Sequence, residues 1–353
     1  MLLNGEVGVY VGSSAGSFTA ALAASGFTVE ELYSSLSENY SNKHSNILKP
    51  ISYKDVLGSN LKSNINSFFN SFKRIINNKE FSIESILQTI FGFNGLFSTK
   101  NVGKYLKNVL PSDCFKDLAS ELYIVTTELN NINRIILGPK ELKTREQATY
   151  VTDVPISEAA IASMSLPFIF GPYKLKIDGT YVDVFDGEVR HTLSSHIAKD
   201  AGCDLIISSY THQPYTYSPE YGSLINYGLP IILVQTIYLL IESKIREAKI
   251  RREIKAGAID EVRKFFIENN LPKNLMNELI ENMQKRMQFN ENIDYIWIAP
   301  EPHDATMFFE DHFNLSLRSM GRIIKSGFKS AYHALSEYKF EFIDTNSQEV
   351  LAK

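Results

Sequence analysis

Close to the N-terminus, Gly12-Ser13-Ser14-Ala15-Gly16 has the types and spacing of G-x-S-x-G. The β-branched and aromatic run Val7–Val11 precedes it, and the small, Ala-rich stretch "AGSFTAALAASG" follows. A strand entering a helix through this pattern makes a nucleophile elbow, with the serine on a strained turn. The flanking glycines, Gly12 and Gly16, would let strand and helix approach without a Cβ clash. Ser14 would then project at a helix N-terminus, where unpaired N–H groups and the helix dipole favour a developing negative charge. Gly8, Gly12 and Gly16 also fit the small-residue spacing of packed membrane helices, but "SSAGS" interrupts any apolar run long before the ~20 residues a span needs.

A serine hydroxyl needs a base to take its proton. Asp186, in "VFDGEVRHTL", follows a strand-like run, precedes Gly187 and is expected at the sheet edge where open α/β folds bind ligands. Asp183, three residues earlier, is the rival carboxylate. His191 and His196 lie near Asp186 in sequence, and His303 and His312 sit among carboxylates, so a Ser-His-Asp triad is a further alternative. No H-E-x-x-H spacing is present, and Cys114 and Cys203 form neither a disulfide framework nor a C-x-x-C knuckle.

The elements that would position these residues alternate. A short helix, "TVEELYSSL", carries Thr28 and Glu31 at capping-box spacing. Residues 42–110 read as helical and irregular, a cap-like insertion over a sheet-based core. Strands follow at 122–129, 133–138 and 148–154, then a helix, "SEAAIASMS", stopped by Pro167. The runs "YKLKID" and "TYVDVF", the helix "TLSSHIAKDAG" and the strand "CDLIISSY" come next. The last third is mostly helical, broken by "DYIWIAP" and closed by "SMGRIIKSGFKSAYHAL". Such alternation implies crossover connections and a mostly parallel sheet with helices on both faces.

The 353 residues, 44% hydrophobic and 22% charged with a formal net charge of −4, suit a globular chain with a sizeable core and disfavour nucleic acid as a partner. The cysteine usage suits a reducing, cytoplasmic setting. Residues 224–257 join an apolar half, interrupted by Pro230, Gln235 and Thr236, to a half dense in Lys, Arg and Glu. They read as a core helix running into a solvated, ion-paired extension, with a peripheral membrane-surface helix as the alternative. Met276, Met283 and Met287 read as packing residues.

In the order and spacing of its motifs the chain resembles the patatin-like phospholipase family. "GSSAG" fits the family's elbow, Asp186-Gly187-Glu188 its D-G-G/A motif, and "ASMSLPFIF" at 162–170 its A-S-x-x-x-P-x-x-F segment. "GLFSTKNVGKYLKNVLP", "LYIVTTELNNINRIILG" and "GRIIKSGFKSAYHAL" are similar to stretches between and after those motifs, so the resemblance runs from Val7 to about Leu335. It implies a three-layer α/β domain over 1–340, with 341–353 as a tail. It also implies a Ser14/Asp186 dyad cleaving carboxylic esters of lipids or phospholipids through an acyl-enzyme, with no metal or organic cofactor, on a protein that visits membrane surfaces.

The chain departs from the family in two places. Glu188 stands where the family has a second small residue. The family's opening strand and Gly-rich loop, which supplies oxyanion donors, have no counterpart before "MLLNGEVG". Either the true start lies upstream, which the persistence of both Ser14 and Asp186 favours, or the chain is a catalytically silent lipid-binding or interaction module.

Overall fold

The structure is a computed structural model describing residues 7–36, 48, 99–131, 133–143, 148–166, 170–190, 193–301, 304–310 and 316–340. From the N-terminus these form β1 (Val9–Gly12), α1 (Ala15–Ala24), α2 (Val29–Leu36), α3 (Lys100–Val109), β2 (Glu121–Glu128), β3 (Arg134–Leu137) and β4 (Thr149–Val151). Then come α4 (Ile156–Ser163), β5 (Tyr173–Ile177), β6 (Thr180–Asp186), α5 (Ser195–Asp200) and β7 (Leu205–Ser209). The last elements are α6 (Leu229–Glu268), α7 (Lys273–Met287), β8 (Asp294–Ile298), α8 (Ala305–Glu310) and α9 (Leu317–Glu337). The helical insertion expected over 42–110 falls mostly outside the described residues, which take in α3 and the buried Leu48, and the tail 341–353 lies outside them too.

The expectation of a mostly parallel sheet is corrected. Among the described residues the main sheet runs β4-β3-β2-β6-β5 with β1 also on β2, and it is mixed. β1–β2 and β3–β4 are parallel, whereas β2–β3, β2–β6 and β5–β6 are antiparallel. Connection length is the reason. Asp178 and Gly179, both at positive φ (47° and 82°), join β5 to β6 as a two-residue hairpin, and so short a link closes only an antiparallel pair. The parallel pair β7–β8 forms a separate two-stranded sheet whose strands are joined through the long helices α6 and α7.

β2 is the axis of the core. Leu122–Thr127 are all buried, and alternate side chains enter two clusters. Leu122 and Ile124 pack with Leu22 of α1, Leu106 of α3 and Ile156 and Ala160 of α4. Tyr123 and Val125 pack with Ile136 and with Ile197 of α5 on the other face. The result is three layers, helix on sheet on helix, which explains why Leu122–Val125 of β2 form an unbroken apolar run. At about 1.5–3 kcal/mol per buried aliphatic side chain, this strand is a firm anchor for whatever is attached to it.

The register on β2 positions the candidate site. β1 pairs along Glu121–Ile124 and β6 along Thr126–Glu128, on the same edge and from opposite directions. Gly12, the last residue of β1, is opposite Ile124, and Asp186, the last residue of β6, is opposite Thr126. Both strand ends therefore meet at Val125.

Along α6 the buried residues Val234, Tyr238, Ile241 and Ile245 recur at helical spacing, and Ile259 further on packs with Ile280 and Phe289. Met276 and Met287 join that cluster, in keeping with their reading as packing residues. No described helix is long and apolar enough to cross a membrane.

Candidate active site

Ser14 sits between β1 and α1 with φ 53° and ψ −135°, a backbone conformation that costs a residue with a side chain about 1–3 kcal/mol. Several hydrogen bonds hold it there. Its N–H donates to Ser163 Oγ at 3.0 Å, and its carbonyl accepts from the Ser17 amide at 2.9 Å and from Ser17 Oγ at 2.6 Å. Ser163 Oγ in turn donates to the Val125 carbonyl at 2.7 Å. The strained turn is thus tied to the central strand through a hydroxyl on α4.

Gly12 is required by space. A Cβ there would come within 2.6 Å of Ser17 Cα and 2.7 Å of the Gly16 carbonyl oxygen, both main-chain atoms. The expectation that both flanking glycines relieve a clash is corrected at Gly16, where an added Cβ meets nothing within 4 Å. Gly16 contributes instead as the backbone against which Gly12 packs. Ala15 and Gly16, the first two residues of α1, stand too early in the helix for their N–H groups to find an acceptor within it.

Asp186 is fully buried. Its amide donates to the Ser165 carbonyl at 3.1 Å, and its Oδ1 accepts from the Glu188 amide at 2.9 Å. Gly187 is a second obligatory glycine, since a Cβ would lie 2.5 Å from the Val125 carbonyl oxygen. The Ser14 turn and the Asp186 turn therefore close on the same peptide of β2. Asp183 lies on the opposite face of β6 from Asp186 by strand alternation, and its Oδ2 accepts from Asn130 Nδ2 at 3.5 Å.

Glu188 takes no positive φ, so the departure from a small residue leaves the turn intact. Its carboxylate is buried, accepts from Ser13 Oγ and accepts from the Leu193 amide at 3.2 Å. Burial pushes its pKa up from 4.5 to about 7. The Asp186 charge adds to the rise, while the bonds from Ser13 and Leu193 and the charge of Lys244 oppose it. Glu188 thus cross-links the elbow to the loop beyond Asp186. Neither this bond nor the Ser163 bridge is stated by local sequence, for the partners are 175 and 149 residues apart. The sole signal was that Ser163 falls in "ASMSLPFIF" and Glu188 in "DGE".

Among the histidines raised by the sequence, His196 on α5 engages the buried Arg134 of β3, and His191, His303 and His312 lie outside the described residues. Among the described residues no group of three His, Cys, Asp or Glu side chains could hold a metal ion. A cavity of about 420 Å³ runs between the edges of β1 and β7 and reaches Ser13, Gly16 and Glu188. Ser14 and Asp186 are not part of its wall.

The family model described as patatin-like phospholipase matches residues 5–194, over half of the chain and a span that includes Ser14, Ser163, Asp186 and Glu188. The chain belongs to the patatin-like phospholipase family, and at that level it stands among lipid acyl hydrolases. The resemblance drawn in the C-terminal part, beyond residue 194, lies outside that match. No curated protein matches the chain.

Proposed function

We propose that the protein hydrolyses carboxylic esters of lipids with Ser14 as nucleophile and Asp186 as base. The observation that carries this reading is the closure of both turns on the Val125 peptide, with Ser14 held at a positive φ. Ser14 Oγ attacks the ester carbonyl while its proton passes to the Asp186 carboxylate. The tetrahedral oxyanion lies against the first-turn N–H groups of α1, where the helix dipole also favours negative charge. Collapse expels the alcohol, which leaves with the proton from Asp186, and an acyl-Ser14 ester remains. Asp186 then takes a proton from water, whose oxygen attacks the acyl carbon. Collapse releases the carboxylic acid, and the proton held by Asp186 returns to Ser14 Oγ, which restores the serine and the carboxylate base.

Burial suits Asp186 to this work. A carboxylate removed from water and held by the Glu188 backbone N–H is rigid, and its field acts on the serine proton with little screening. The roles of Glu188 and Ser163 are positional: each fixes one turn against the other.

The test is hydrolysis of short-chain phospholipids by the wild-type chain, Ser14→Ala and Asp186→Asn. Ser14→Ala should be inactive, and Asp186→Asn should fall by about 10²–10⁴, the usual weight of a positioned base. Activity that survives Asp186→Asn but is lost on His196→Ala would assign a histidine triad instead. A folded wild-type chain with no turnover would assign the silent lipid-binding module.

A further inference from the structure

A second cavity, about 450 Å³ and open to solvent, lies between α6, the turn after Asp186, α5 and β8. Its wall carries Arg190, Lys244, Arg251, Arg252 and Lys255, and Glu247 is the one carboxylate among its described lining residues. Residues 244, 248, 251, 252 and 255 follow the i, i+4, i+7, i+8, i+11 pattern that puts side chains on one stripe of a helix, so the cations of α6 converge by construction.

These cations are oriented chiefly by main-chain carbonyls and rings, and the charge of buried Asp294 acts on Arg252 alone among them from outside the cavity wall. Lys244 Nζ donates to the Val189 carbonyl at 2.5 Å, Arg252 Nη2 to the Ile293 carbonyl at 2.6 Å and Lys255 Nζ to the Met287 carbonyl at 2.7 Å. The Arg252 guanidinium also lies 5.2 Å from the ring centres of both Phe289 and Tyr295. Main-chain carbonyls and ring faces aim a cationic head but leave its charge in place. The ion pair of Arg251 with Glu247 spans 4.0 Å between exposed side chains, a contact that neutralises little. Burial, and next the positive charge of Arg251, push Lys255 below its ordinary value.

We propose that this cavity is a binding site for a phosphate-bearing anion, and that in the working protein the anion is the headgroup of a phospholipid substrate. Guanidinium forks match phosphate oxygens in pairs, and an ammonium at the rim supplies a further point charge. Leu193 and Ser195 line both this cavity and the one that reaches Ser13 and Glu188. Lys244 is bonded to the segment directly after Asp186. A headgroup held here therefore belongs to a lipid presented to the candidate site. The inference rests on the lipid-hydrolase reading for the identity of the ligand and deepens it from lipid esters to phosphate-bearing ones.

The test reads binding, so that it stands apart from turnover. Inorganic phosphate, glycerol 3-phosphate and monomeric dihexanoyl phosphatidic acid are titrated by calorimetry into the full chain carrying Ser14→Ala, at constant ionic strength. All three should bind saturably, and the lipid should bind at least about tenfold more tightly than glycerol 3-phosphate, since its chains add buried apolar area. Arg190→Gln/Arg251→Gln, both exposed, should weaken each ligand by about tenfold or more. Circular dichroism checks the fold of the double variant, and Arg251→Gln alone carries the same reading if the pair does not fold. Absence of saturable binding, or binding that the substitutions leave unchanged, overturns the site. Equal affinities for lipid and glycerol 3-phosphate overturn the headgroup assignment in favour of a soluble phosphate. Binding that follows this pattern in a chain whose wild type shows no turnover would retain the site and discard the hydrolase reading.

Discussion

Replacing Glu188 by Gln tests how the elbow is held, through the pH dependence of stability. The Glu188 carboxyl is buried and titrates near 7 in the folded chain, against an ordinary 4.5. Between those values the folded protein keeps a proton that the unfolded chain has released, so stability falls as pH rises through the window and levels off above it. A rise of two and a half pH units at about 1.36 kcal/mol each gives roughly 3 kcal/mol of pH-dependent destabilisation, fully present above pH 7. Gln cannot ionise, so Glu188→Gln abolishes this component. It can still accept from Ser13 Oγ but turns an amide N–H toward the Leu193 amide, a pH-independent loss of about 1 kcal/mol. Urea unfolding should therefore show Glu188→Gln gaining on wild type steadily from about pH 5 to about pH 7 and holding a constant advantage at higher pH. Parallel stability curves over that range would refute the reasoning, because they would mean that no charge is being forced into the interior at this position.

Other perturbations give distinct outcomes. Gly12→Ala drives a Cβ into the main chain of Ser17 and Gly16, and should cost about 1–3 kcal/mol by thermal unfolding together with most of the esterase activity. Ser163→Ala leaves the Ser14 amide and the Val125 carbonyl without the hydroxyl that joins them, and should cost about 1–3 kcal/mol and lower kcat while KM changes little. In α2 the Thr28 and Glu31 bonds are reciprocal, at 2.8 and 3.1 Å, so Thr28→Ala should cost about 1 kcal/mol in urea unfolding with activity unchanged.

What was legible in the sequence was what is local. The elbow is a strand, a two-residue turn and a helix in immediate succession, and Thr28 and Glu31 are three residues apart, so spacing alone describes their geometry. Asp186 stood out because a strand, a carboxylate and a glycine are consecutive. The mixed sheet was in principle readable from Asp178-Gly179, a two-residue hairpin signal between two strand-like runs, but the alternation of strands and helices around it suggested crossovers. The functions of Ser163 and Glu188 were not legible. Each acts on a residue in the elbow from a distant part of the chain, and nothing in a serine at a helix end or a glutamate after a glycine states which turn it will meet. The cationic cavity was half legible. The charges of α6 were visible, but their convergence on the turn after Asp186 depends on how the helix packs.

The central claim, an activated serine at residue 14 served by Asp186, is tested most directly by a fluorophosphonate probe. The site of covalent labelling is read by mass spectrometry in the wild-type chain, Ser14→Ala and Asp186→Asn. The account predicts a single phosphonylated residue, Ser14, no adduct in Ser14→Ala, and labelling slowed by about two orders of magnitude or more in Asp186→Asn. A folded chain that takes no label, or one whose labelling rate is unchanged by Asp186→Asn, would contradict it.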